Sequence, residues 1–593
     1  MLSEFTLIPA AAVGPESHAN GDAAYQLLIQ VCEGTISSEQ AVNQALQQFN
    51  STGDGLWVRP WGMALWKLER YEQALQVLEQ GLEACATDVD FHVLMGMVAR
   101  QLPAEHKKAL RAYRVALELD PGRSDALYNL GNLLKDDDPV EAEECYLRSL
   151  NINPQYASGW HNLGIALNNQ NRYNEALQAL MVSLRLDPLV ADAWCNLGLA
   201  FYGQEYFEKA EACFRYTISM NNQHAASHTN LGNTLISQLL PDEALQYLER
   251  GAELDTSSTN SLWNLALAYL LLGKYQKGWL HYEARFHTKD FEKVQIPTSG
   301  PRVRCLADLP GPGDPELVVW CEQGLGDAIQ FCRYIYLLEA AQVPFVLLGR
   351  VQLLSLLQQW TGFGAKVLPP KGTTPEPIDI RPHVALMSLP MIFQTELATV
   401  PAVVPYLHPP EPTPLLLQVP PPPGGLAIGI VWASNPDNKA MYRNKSFPLS
   451  LLMPRLLDLL SLDLIDLHSL QFGADAEQLA PWRNHERITD WSEILNNFSD
   501  SAHVVSQLDL IISVDTAVAH LAGALNRPTW LLIPQNADFR WLKNRSDSPW
   551  YPSMRLFRQA SHGDWSSVIQ QVHAALDEMF LLDLEALASA NVH

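Results

Sequence analysis

The chain has 593 residues, 47% of them hydrophobic and 18% charged, which excludes an extended disordered protein and allows several buried cores. Its 40 Lys and Arg against 65 Asp and Glu give a net charge of -25, which argues against a nucleic-acid partner because phosphates would be repelled. At roughly 150 residues per domain, the length predicts three or four folding units.

Residues 1–56 are read as an N-terminal helical segment. The opening MLSEFTLIPAAAVGPESHANGD has no basic start followed by a long apolar run, so no secretory leader is expected. No apolar stretch reaches 18 residues, so no membrane-spanning helix is expected. Eight cysteines (Cys32, Cys85, Cys145, Cys195, Cys213, Cys305, Cys321, Cys332) lack the close pairs of a zinc site or a small disulfide scaffold. They read as core thiols in a reducing compartment, and the expectation is a cytoplasmic protein.

Between residues 57 and 287 the chain repeats itself. Asn-Leu-Gly recurs at Asn129, Asn162, Asn196 and Asn230 and continues as Asn264-Leu265-Ala266, in steps of 33, 34, 34 and 34. A second ladder of small residues runs through Ala74, Ala109, Ala142, Ala176, Ala210, Ala244 and Gly278. Two ladders at one period mean two helices per unit, with small residues where the helices meet and prolines such as Pro121, Pro154 and Pro188 between units. About seven units are expected, the first two carrying Gly62 and Gly96 without the Asn.

These residues, with Trp160 and Trp194 at the early aromatic position, resemble the tetratricopeptide repeat, an α-solenoid. In that family the Asn position faces the concave groove. The resemblance therefore implies that Asn129, Asn162, Asn196, Asn230 and Asn264 offer amides to an extended peptide backbone without reading its side chains. The column is similar to the asparagine ladder of the protein O-GlcNAc transferases.

A polar linker is expected over 288–315, after which the pattern becomes strand, turn and helix. Residues 317–320 read as a strand, followed by Gln323-Gly324-Leu325-Gly326-Asp327 and a helix through Leu338, with the next strand at 345–348. This first α/β lobe is assigned to 316–407. The segment HPPEPTPLLLQVPPPPGG, residues 408–425, cannot hold a helix and reads as a stiff hinge. A second lobe over 426–593 follows, with strands at 426–432, 464–470, 508–513 and 529–533 and a helix starting near Thr516. Two α/β lobes predict twin Rossmann-like folds with ligands at the carboxyl ends of the strands.

The segment SVDTAVAHLAGALNRPTWLLIP from Ser513 resembles glycosyltransferases of the lipopolysaccharide heptosyltransferase type, which carry Asp-Thr-Gly-x-x-His here. This chain keeps Asp515, Thr516 and His520 and has Ala517 where that family has Gly. The resemblance implies a GT-B fold and a nucleotide-sugar donor: Asp515 touching the sugar, Thr516 the diphosphate, and His520 the leaving group or the loop, with Ala517 among the donor-binding positions. It implies that Asp327 is the catalytic base, behind a loop in which Gly324 and Gly326 allow close approach.

A third match, Val431-Trp432-Ala433-Ser434-Asn435-Pro436 followed by Arg443-Asn444-Lys445-Ser446-Phe447-Pro448, implies donor contacts from Ser434, Asn435, Arg443 and Lys445. Cations there would neutralise the departing diphosphate, and no Asp-x-Asp ends a strand, so a metal-independent, inverting transfer is expected. Gln471 is read as a nucleoside contact. No bound cofactor is expected beyond the nucleotide sugar, and the expected partner is a protein or peptide acceptor. A glycan or lipid-linked acceptor, and an inactive scaffold, are the alternative readings. The aromatic tail from Arg540 to Trp565 reads as packing, with a roof over the cleft as the alternative.

Overall fold

The computed structural model describes residues 19–590 except 290, 292–293, 361, 363–365, 371–379, 422–424 and 438. The opening segment through residue 18, on which the leader expectation rests, lies outside the described residues. The chain divides into two compact units, residues 1–234 and 235–593.

The first unit is helical. After Ala19–Glu33 and Ser38–Thr52 come antiparallel pairs: Val58–Lys67 with Tyr71–Gln80, Val89–Arg100 with His106–Leu119, Ser124–Leu134 with Pro139–Ile152, Ala157–Asn169 with Tyr173–Leu186, and Ala191–Gly203 with Phe207–Met220. The glycine of each first helix receives a large side chain from the second. A Cβ at Gly96, Gly131, Gly164 or Gly198 would lie within 2.5–2.7 Å of Tyr113, Tyr146, Leu180 or Phe214. Ala109, Ala142, Ala176 and Ala210, the second ladder, are fully buried. The turns share a left-handed residue at Glu69, Asn171, Glu205, Leu239 and Gly273, with the last four 34 residues apart. This conformation disfavours any residue with a Cβ, and only Gly273 escapes the cost.

In the second unit, Pro241–Leu254 precedes one further pair, Thr259–Leu271 with Tyr275–Tyr282. The compact unit begins before the repeats end because Ala266, Leu270, Tyr275, Trp279 and Tyr282 share a core with both sheets that follow.

The first sheet has strands β1 (Leu317–Trp320), β2 (Phe345–Leu348), β3 (Val367–Leu368) and β4 (His383–Ala385) in the order β3-β2-β1-β4. The second has β5 (Leu426–Val431), β6 (Ile465–Ser469), β7 (Ile488–Asp490), β8 (Leu510–Val514), β9 (Thr529–Ile533) and β10 (Met554–Arg558) in the order β10-β9-β8-β5-β6-β7. Every pairing is parallel. β1, β2, β8 and β9 are buried at each position, as strands covered on both faces must be.

Part of the segment expected as linker is ordered against the first sheet. Arg302 bridges His383, whose amide donates to the Pro301 carbonyl at 3.0 Å. The described part of the proline-rich hinge holds only a short 3-10 turn, Leu415–Leu417. Among the described residues all eight cysteines are unpaired. Five are buried, but Cys305 is exposed, which departs from a reading of uniformly buried thiols.

Candidate active site in the C-terminal region

Each sheet is wound in two directions from an inner strand. The order reverses between β1 and β4 in the first sheet and between β5 and β8 in the second. Connections leaving the carboxyl ends of strands diverge at such a reversal and leave a crevice. The polar motifs sit at these exits: 321–327 follows β1, 432–436 follows β5, and 515–520 follows β8.

Two cavities meet there. The first, about 560 Å³, is lined by Gly326 and Asp327 after β1, Lys445, and Asp515, Thr516, Ala517 and His520 after β8. Arg540, Asp538 and Phe539 close it, and Trp263 and Leu267 of the last repeat form an apolar wall. The second, about 480 Å³, is lined by Ser434 and Asn435 after β5, Gln471 and Phe472 after β6, Asn496 and Asn497, and again Thr516 and Ala517. The turn opening the helix Ala517–Ala524 is thus common to both.

That turn holds an extended N-cap, Thr516, whose side chain makes no capping bond to the helix amides. Ala517 follows in ordinary helical backbone, outside the positive-φ residues, so the local conformation does not require a glycine there. Uncapped amides at a helix start carry partial positive charge and suit an anion.

The first cavity has a belt of alternating charge. Lys445 Nζ donates to Asp515 Oδ2 at 2.6 Å, both side chains largely buried. Burial alone would raise the Asp515 carboxyl, but the Lys445 ammonium and His520 outweigh it and hold that group well below the usual carboxylate range. Burial opposes the Lys445 charge, yet Asp515 and then Asp538 keep its proton affinity above the ordinary lysine value. Arg540 donates to Asp327 and, at 2.7 Å, to Asp538. Asp327 Oδ2 also accepts from the Gly324 amide at 2.9 Å, so the carboxylate is fixed at the start of its own helix, Leu325–Phe331.

Gly326 has a specific task. A Cβ there would stand 2.8 Å from His520 Cδ2, so only glycine lets the loop after β1 reach the helix after β8. Gly324 and Arg443 are exposed and line neither cavity. Gln471 is buried with its amide turned inward: Oε1 accepts from Trp432 and Ala433 at 3.1 and 2.9 Å, and Nε2 donates to the carbonyls of Ala433 and Phe472 at 3.2 and 3.1 Å. It fixes the exit of β5, while the neighbouring Phe472 ring is 40% exposed.

The tail, read from the sequence as packing with a roof over the cleft as the alternative, lines the first cavity. Asp538 and Arg540 line the first cavity, Trp541 stacks on the His520 ring at 5.5 Å, and the Tyr551 hydroxyl lies 3.0 Å from His520 Nδ1. The aromatic density of that segment was visible, but its spacing matches no strand or helix period that would show which rings face a ligand.

In the helical unit the asparagine amides run from repeat to repeat. Asn162 Nδ2 donates to Tyr128 Oη and Asn132 Oδ1, Asn196 Nδ2 meets His161 Nε2 at 2.9 Å, and Asn230 Nδ2 approaches Cys195 Sγ at 3.6 Å. In these three the partner includes the residue just before the previous repeat's Asn. Asn129 Oδ1 accepts from Arg100, and in the second unit Asn264 donates to Asn260.

The chain matches the tetratricopeptide repeat family over residues 62–88, 145–178 and 195–259. Protein FlbA of Caulobacter vibrioides is 25% identical over 528 residues, covering 82% of this chain and 83% of FlbA. Among solved structures, MamA is 25% identical over 28% of this chain and 92% of its own, with a TM-score of 0.26. PilF of Pseudomonas aeruginosa is 21% identical over 35% of this chain and 95% of its own, with a TM-score of 0.30. The helical pairs are tetratricopeptide repeats, followed by a C-terminal region of parallel sheets.

Proposed function

We propose that the C-terminal region is a GT-B glycosyltransferase that moves a sugar from a nucleotide donor to a side chain of a protein held by the tetratricopeptide repeats. The observation that carries this reading is the helix start shared by two unlike cavities. The second cavity offers an exposed aromatic ring and asparagine side chains, which suit a nucleoside. The shared turn offers uncapped amides, which suit a diphosphate. The first cavity offers Lys445, His520 and a carboxylate at Asp327, which suit the reacting sugar and its acceptor.

In this reading the acceptor oxygen bonds to the anomeric carbon and its proton passes to Asp327. The bond from that carbon to the phosphate oxygen breaks, and the electron pair leaves with the nucleoside diphosphate. A single attack of this kind inverts the anomeric centre. Lys445 and the amides of the helix Ala517–Ala524 stabilise the departing charge, the part a divalent cation plays in other transferases. Arg540 and the Gly324 amide hold the Asp327 carboxyl group in place, and Asp515 holds Lys445 in place.

The test is a thermal-shift panel of nucleotide sugars on the full chain. A true donor at about 100 times its Kd adds roughly 2.7 kcal/mol of stability, and a flat response across the panel defeats the reading. With the donor known, labelled sugar enters protein in a lysate, and Asp327→Asn removes transfer while keeping the donor-induced shift. Label entering only glycan or lipid would redirect the acceptor.

A further inference from the structure

We infer that Tyr551 is a positioning residue that fixes His520 as the Nε2–H tautomer, so that the ring presents a hydrogen-bond donor, and no base, to the first cavity. This inference rests on the transfer reading for its purpose and on the hydrogen-bond geometry for its substance. His520 is confined on three sides. Trp541 covers a ring face at 5.5 Å and 24°, the Gly326 backbone backs the Cδ2 corner, and Tyr551 Oη stands 3.0 Å from Nδ1. The Nε2 edge points to Asp515 Oδ1 at 3.7 Å, in the cavity lining.

Proton counting behind the ring selects the tautomer. Tyr406 Oη donates to the Ile329 carbonyl at 3.0 Å, and a carbonyl can only accept. Arg333 donates to Tyr406 Oη at 3.0 Å, and a guanidinium can only donate. The Tyr551 proton is left with two acceptors, Tyr406 Oη at 3.5 Å and His520 Nδ1 at 3.0 Å, and the shorter bond to nitrogen is favoured. The reverse arrangement would put a lone pair on Nε2 facing the Asp515 carboxylate, whereas Nε2–H facing it is attractive.

Arg333 fixes the two phenols behind the ring. It is 2% exposed, stacked on Tyr406 and Tyr551, and its hydrogen bonds go to the carbonyls of Gln330, Pro401 and Trp550 and to a phenol. Of the carboxylates lining the first cavity, Asp515 is engaged by Lys445, and Asp327 and Asp538 by Arg540. In the transfer step, Nε2–H hydrogen-bonds to the oxygen that leaves with the diphosphate. No proton moves from the ring.

The test needs no donor. The full chain is labelled with 15N-histidine, and the His520 signals are assigned by their loss in His520→Gln. At neutral pH the expected spectrum has a protonated Nε2 and an unprotonated, hydrogen-bonded Nδ1. In Tyr551→Phe the Nδ1 signal moves downfield, to the position of an unpaired lone pair. A proton on Nδ1, an imidazolium in the unaltered chain, or an Nδ1 signal indifferent to Tyr551→Phe would each overturn the inference. A flat nucleotide-sugar panel would defeat the transfer reading and leave this spectrum readable, so the two can fail separately.

Discussion

Asp515 carries more of the site than its single motif position suggests, because it anchors a buried cation and faces the Nε2 edge of His520. Its carboxyl is held low in the folded chain, so its contribution is fully present above the unfolded carboxylate range and is lost as pH falls through and below that range. Asp515→Asn removes the hydrogen-bonded counter-charge of the buried Lys445 and leaves only the more distant Asp538, a change that costs up to about 3–5 kcal/mol. Thermal unfolding should show a lower Tm for the variant at pH 7 and a smaller gap between variant and parent at pH 3; an unchanged gap would remove the pair from the stability account. Phe472 belongs to the same scale. Base stacking on an aromatic ring contributes roughly 1–3 kcal/mol, so Phe472→Ala should weaken binding of the active nucleotide sugar by about tenfold in calorimetry, while the buried Gln471 acts through the shape of the β5 exit. The motif residues Asp327, Lys445, Asp515 and His520 were legible because each follows an apolar strand, and they converge on one cavity. Tyr551, Arg540 and Trp541 were legible only as an aromatic-rich segment and their contacts were not, since pairs such as Arg540 and Asp327 join residues 213 apart.

The repeats were legible at the level of elements because a 34-residue period writes packing directly into sequence: small residues recur where one helix receives a side chain of its partner. The contacts at Gly164 and Gly198 give that ladder its steric meaning. Gly164→Ala places a methyl group where Leu180 already sits, and overpacking of this kind costs about 1–3 kcal/mol; Gly122→Ala, with only an Asp120 side chain nearby, is the matched control. The direction of the asparagine amides was not legible. Sequence spacing puts Asn162 and Asn196 on one column, but whether an amide points along the column or away from it depends on partners such as Tyr128 and His161. The left-handed turn residues were also missed, because Glu205 and Leu239 carry no glycine signal. Glu205→Gly should relieve roughly 1 kcal/mol of backbone strain and raise the unfolding temperature, an effect that a second variant at an ordinary helical position, Glu208→Gly, should reverse in sign.

At the scale of the whole molecule, the chain divides into residues 1–234 and 235–593, and the proposed transfer assigns a different task to each. Every residue lining the two cavities belongs to the second unit, so donor recognition does not depend chemically on the first. Five of the seven expected repeats complete their helix pairs before residue 221, and four of the five column asparagines lie in the first unit. Acceptor capture by repeats should therefore reside mainly there. A chain starting at Asn222 keeps the helix Ala225–Ser237 whole and retains the helices that share the core of the sheets. Its nucleotide-sugar thermal shift should match that of the full chain, whereas labelling of protein acceptors should fall by at least about tenfold, the effect of losing roughly 1.4 kcal/mol of acceptor binding. Equal labelling by both chains would move acceptor recognition to the cavity itself, where Trp263 and Leu267 supply the apolar wall, and Trp263→Ala would then be the variant that raises the acceptor KM. Loss of the donor shift in the shortened chain would instead mean that the sheets need the preceding repeats to hold their shape.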